Sequence, residues 1–188
     1  MKEDYLLKKE AKDLEEAFFQ KENERLLREL QQKAKVEEKR KALSAVVKAK
    51  DPAVIDHLLE LGVGPESVLA IQLVPLAALA WADGRLDDKE RKAVLKAASE
   101  RGIQQGSANY TMLEVWLKEK PSQQLMDAWK GLARGLWEQL TESEKILMRE
   151  GLVGKAREIA EAAGGFLGVA SISPAEKALL EELERVLS

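Results

Sequence analysis

The stretch VLAIQLVPLAALAWADGRLDDKE, residues 68–90, decides how this chain folds. Its first 15 residues, Val68 to Ala82, form the longest apolar run in the sequence, with Gln72 and Pro75 inside it. A membrane-spanning helix takes about 20 apolar residues, so the run predicts a buried core helix carrying Leu69, Leu73, Leu76 and Ala80. Pro75 is expected to kink it, because proline removes one ladder hydrogen bond and crowds the preceding turn. Asp83-Gly84 stops the helix. Asp87, with Glu90 three residues on, then supplies the N-cap and N3 acid that open the next one.

The same punctuation continues outward on both sides. Asp51-Pro52 opens a helix that Gly62 ends, and Gly64-Pro65 opens the apolar one. Gly102 ends the helix that Asp87 starts. Ser107 and Pro121 open two more, holding Met112, Leu113 and Trp116, and Leu125, Trp129, Leu132 and Leu136. Thr141 and Glu144 form a capping box for a helix reaching about Gly164. Ser173, Pro174 and Glu176 combine cap, first-turn proline and N3 acid for the last. No run of alternating β-branched and polar residues reads as a strand. The expected fold class is therefore all-α, a multi-helix bundle of about eight helices. It occupies residues 50–188, with a long charged helical extension before it at residues 1–49.

In the extension, no Gly or Pro falls between Glu3 and Lys48. Apolar residues fall at Leu7, Ala11, Leu14 and Phe18, then shift to Phe19, Leu26 and Leu30. A seam that drifts in this way, with Asn23 on it, suits a long helix better than a regular coiled coil. A bend or break is expected near Lys33–Lys39, where the stripe fades. At about 1.5 Å per residue, an unbroken helix would reach about 70 Å, so part of it is expected to project or to pack on another chain. Adjacent Phe18 and Phe19 point about 100° apart, and one of them must face away from any single seam. Leu14, Phe18, Phe19, Leu26 and Leu30 are thus the candidate residues for a protein partner or for self-association.

Composition narrows the chemistry. The 188 residues include 30 Lys and Arg against 33 Asp and Glu, a single His and no Cys. Disulfides, thiolate chemistry, zinc sites and Ser-His or Cys-His catalysis are thereby disfavoured. Residues 1–50 hold 14 basic and 11 acidic side chains of interleaved sign, which is a solvated helix rather than a nucleic-acid footprint. The start has acids and no apolar core, unlike a signal peptide. The expected setting is the cytoplasm, without a transmembrane segment. His57 reads as a surface or cap residue. Trp81, Trp116, Trp129 and Trp137 read as core, and Gly164-Gly165-Phe166-Leu167-Gly168 as a flexible apolar connector.

Only the turn has chemical potential. Asp83, Asp87, Asp88 and Glu90 place four carboxylates within eight residues, and hard cations such as Ca²⁺ or Mg²⁺ prefer such oxygens. The spacing is not that of an EF-hand: Gly follows the first Asp directly, and no bidentate Glu closes the loop. The competing reading is structural, with Asp83 bonding nearby backbone, Asp87 capping, and Asp88 and Glu90 complementing the helix dipole. Ile172-Ser173-Pro174-Ala175-Glu176-Lys177 echoes Leu86-Asp87-Asp88-Lys89-Glu90-Arg91 in its cap and N3 acid, but not in the Asp-Gly before it. Catalysis by paired carboxylates would need a cleft and a raised pKa, which an exposed helix start does not offer.

The pattern Ala80-Trp81-Ala82-Asp83-Gly84-Arg85-Leu86-Asp87-Asp88-Lys89-Glu90 resembles the signature of TerB-like domains, all-helical domains named for a tellurite-resistance protein. The resemblance covers roughly residues 50–187. It implies an acidic, cation-binding surface at Asp83, Asp87 and Glu90, with Asp88 beside them. It also implies stress-response or scaffold roles and association with larger complexes, some at the inner membrane face. The expected function is a non-enzymatic scaffold, with a divalent-cation sensor as the alternative.

Overall fold

The structure is a computed structural model. It describes the backbone of residues 2–47, 52–163 and 172–188, and the side chains of residues 18–47, 52–162 and 172–188. Among the described residues every regular element is helical, as the capping signals require. The connector at residues 164–168 and the side chain of Leu14 lie outside the described residues.

The chain divides into a unit ending at Lys41 and a second from Ala42 to Ser188. The first helix, α1, runs unbroken from Lys2 to Val47. No break falls near Lys33–Lys39, for a local reason. With no Gly or Pro to interrupt it, the helix is laced by its own pairs. Glu22 and Glu29 both engage Arg25, Glu24 engages Arg28 at 3.0 Å, and Glu37 lies 3.9 Å from Lys41, spacings that support a helix whatever its apolar pattern. The second unit begins earlier than the expected boundary at residue 50, because Leu43 is fully buried in its core.

Within the second unit, α2 (Pro52–Glu60) is followed by a turn and a 3-10 helix, Val68–Leu73. Then comes α3, Val74–Ala80, of which every residue is buried. Here Pro75 starts a helix rather than kinking one. It sits in the first turn of α3, where a missing N–H costs nothing. Its ring forbids an α-helix running through from Val68, so the apolar run divides into a 3-10 piece and an α piece. Asn109 fastens the 3-10 start, accepting from the Ala70 N–H at 2.9 Å and donating to the Glu66 carbonyl at 3.1 Å.

Five helices close around α3: α4 (Asp88–Glu100), α5 (Ala108–Lys118), α6 (Gln123–Trp137), α8 (Lys155–Ala163) and α9 (Pro174–Val186). A helix apolar on all sides is stable only when enclosed in this way. Before α8, α7 (Glu142–Arg149) runs into a π-helical turn, Glu150–Gly154, which divides the single helix the sequence suggested into two. Arg101 donates to the Gly151 carbonyl at that turn, at 3.3 Å. Trp116 and Trp129 are core residues. Trp137 is half-buried beneath the Lys145 ammonium and the Arg149 guanidinium, 5.8 and 5.2 Å from its ring centre. His57 is half-buried, 3.7 Å from Glu60.

If α3 is the hub, truncating it must cost far more than truncating the surface. Leu79→Ala should lower the unfolding free energy by about 2–5 kcal/mol. Leu147→Ala, at a side chain 69% exposed, should stay within about 0.5 kcal/mol. Denaturant titration of both variants reads this directly, and equal losses would contradict the arrangement.

Candidate functional site

The turn between α3 and α4 is built from backbone needs. Gly84 takes φ +90°, a conformation other residues rarely adopt, which turns the chain between the two helices. Asp83 accepts the Arg85 N–H at 2.9 Å and holds that turn. Asp87 then accepts the N–H groups of Lys89 and Glu90, at 2.7 and 2.8 Å, and Glu90 accepts the Asp87 N–H at 2.8 Å, completing a capping box. Asp88 is exposed at the first residue of α4.

Three of the four carboxylates are therefore committed to the first turn of α4 or to the bend before it. Among the described residues, no group of three or more His, Cys, Asp or Glu side chains stands where it could hold a metal ion. The cluster the sequence offered to Ca²⁺ or Mg²⁺, Asp83, Asp87, Asp88 and Glu90, is not assembled as a ligand set. Oxygens of Asp83, Asp87 and Glu90 accept nearby backbone N–H groups instead.

One member differs from the expected exposed cluster. Glu90 is only 4% exposed, and so is Glu176. Glu176 belongs to the equivalent capping box at the start of α9, where it accepts the Ser173 N–H at 2.6 Å while Ser173 accepts the Glu176 N–H at 3.2 Å. The two echoed motifs come close enough in the fold for the charge of Glu176 to act on Glu90. Burial pushes the Glu90 carboxyl up to about 7, against the lowering effect of the Asp87 N–H. The charges of Asp87, Asp83 and Glu176 raise it further. The third box, at the start of α7, holds Thr141 and Glu144 on the exposed surface. A buried carboxyl with a raised pKa is one ingredient of acid–base catalysis. Here the carboxyl is buried and accepts the Asp87 N–H at its own helix start.

Other roles near the turn were not legible from local sequence. Trp81, half-buried, donates its indole N–H to the Trp116 carbonyl at 3.0 Å, and Arg91 reaches the Leu117 carbonyl at 2.5 Å. Together they satisfy the last carbonyls of α5, which its own ladder leaves open. A second feature is an apolar groove of about 620 Å³ in the second unit, lined among others by Val54, Leu69, Ile71, Trp129, Leu132 and Met148. Its walls come from segments far apart in sequence, so no local motif could announce it.

The interaction residues proposed in α1 stand in the open. Phe18, Phe19, Leu26 and Leu30 are all exposed, and Leu27 and Val36 join them. The Phe18 and Phe19 rings meet edge to face, 6.1 Å apart, and no other ring covers them among the described residues. Among the described residues, no helix is long and apolar enough to cross a membrane.

Two results follow from this geometry. A carboxyl whose folded-state pKa is raised holds a proton that the unfolded chain has already released. Its contribution to stability is fully present below the ordinary carboxylate range and is lost as pH rises through about 7. Between about pH 5 and about pH 8, Glu90→Gln, which keeps an acceptor for the Asp87 N–H, should flatten the fall in melting temperature. An identical pH slope in the variant would contradict the burial of an ionisable group there. Millimolar Ca²⁺ or Mg²⁺ should leave the melting temperature unchanged. A rise that Asp83→Asn with Glu90→Gln abolishes would show that the acids gather around an ion after all. The chain matches no protein-family model, no curated protein and no solved structure.

Proposed function

We propose that this chain is a non-enzymatic binding or scaffold protein of TerB-like type, in which the second unit is a stable helical body and α1 is the element that engages protein. One observation carries the reading: α1 presents Phe18, Phe19, Leu26, Leu27, Leu30 and Val36 to solvent on a helix where Arg25 and Arg28 pair with acids of the same helix. Exposed aromatic and aliphatic side chains gathered on one element mark an interaction surface, whereas scattered single ones do not. The ion pairs of Arg25 and Arg28 keep the helix formed without a partner, so little ordering cost remains at binding.

The acidic turn supports the same reading from the other side. Its carboxylates serve the bend and the start of α4, which leaves chemistry without a reacting group at the one place the sequence offered. The TerB-like assignment rests on the Ala80–Glu90 pattern, and a stress-related role follows only from that resemblance.

Light scattering of the full chain at rising concentration tests the role of α1. The mass should climb above the 20.9 kDa of one chain. Leu26→Lys with Leu30→Lys should return it to one chain with the helical circular dichroism signal unchanged. A wild-type mass of one chain at every concentration would contradict self-association through α1.

A further inference from the structure

We propose that α1 binds a second copy of itself, antiparallel, through a short seam of Phe19, Asn23, Leu26 and Leu30. The proposal rests on the reading of α1 as an association helix and adds the partner, its orientation and its register. On the continuous helix these residues are spaced by four, three and four, which puts them on one stripe at the alternating core positions of a heptad. All four are exposed, the three apolar ones at 56, 44 and 62%. Leu27 stands beside the stripe and widens it, while Phe18 falls outside it. Next to the seam, Arg25 holds both Glu22 and Glu29, so these charges are satisfied within their own helix and leave the stripe free.

Orientation is decided by what continues the register. One heptad step outward, the same core positions hold Glu16 and Lys12 on one side and Lys33 and Glu37 on the other. A parallel pair would set each of these against its own copy, giving four layers of like charge. An antiparallel pair with Phe19 opposite Leu30 of the second copy sets Asn23 opposite Leu26. It also sets position 16 opposite 33 and position 12 opposite 37, so that every charged layer joins opposite signs. The wider segments agree. Residues 33–41 hold five basic and two acidic side chains, and the facing residues 8–16 hold three basic and four acidic. A parallel pair would gain one layer, Asn23 against Asn23. Four repulsive layers outweigh it, since unlike charges attract and like charges repel most where water is thinned.

Because the chain has no Cys, introduced thiols report the pairing without background. Full-length Phe19→Cys and Leu30→Cys chains should be oxidised separately and as an equal mixture. The mixture should give roughly tenfold more linked dimer than either alone, since thiols eleven residues apart along the helix lie too far apart to bridge. Asn23→Cys mixed with Leu26→Cys repeats the test in case loss of Phe19 or Leu30 weakens the pair. Each variant linking best to itself would establish a parallel pair and overturn the proposal, while leaving association intact. No linked dimer in either mixture, with a wild-type mass above one chain, would overturn this seam and point to another surface. A wild-type mass of one chain would remove the association itself.

Discussion

The structure depends on one constraint: α3 is apolar on every side and must be covered on every side. Seven consecutive buried residues, Val74 to Ala80, leave no polar face to turn to water. Five other helices must therefore pack around one short rod, and each needs its end groups satisfied close to the core. The dense capping along the chain is a consequence of this. Asp87 with Glu90 and Ser173 with Glu176 start two of the surrounding helices at buried positions, and Trp81 and Arg91 finish a third.

Seen from α3, the acidic turn has a structural purpose. A rod that ends in the core must reverse within a few residues, and Gly84 permits that while Asp83 and Asp87 hold the new direction. The arrangement has a cost, because a carboxylate brought beside other carboxylates and out of water resists ionisation. Glu90 bears that cost, with its pKa at about 7. α1 follows a different logic: its charges interleave, several pair along the helix, and Phe18, Phe19, Leu26, Leu27, Leu30 and Val36 remain open to solvent, while Leu43 near its end is buried.

Much of this was legible in the sequence where the signal is local. The all-α class, the Asp-Gly bend and the three capping boxes depend on residues within four positions of each other, and the structure has each of them; the apolar run is buried throughout Val74–Ala80, but Leu69, expected in the core, is 51% exposed. What escaped the sequence depends on distance. Pro75 reads as a kink in isolation, yet packing lets the helix begin at it. Nothing near Glu90 or Glu176 announces that both will be buried near each other. The fading stripe near Lys33–Lys39 suggests an interruption, but ion pairs such as Glu37 with Lys41 support a continuous α1 without an apolar pattern. The carbonyl caps from Trp81 and Arg91 and the groove lined by Val54, Trp129 and Met148 join segments that no window of sequence contains.

The most direct measurement is native-state amide hydrogen exchange, residue by residue. If α3 is the enclosed hub, the N–H groups of Ala78, Leu79 and Ala80 should exchange only through global unfolding, with the highest protection in the chain. Exchange of those three amides at the rate of the exposed residues of α1, while the rest of the second unit stays protected, would show that the bundle is held together around something else.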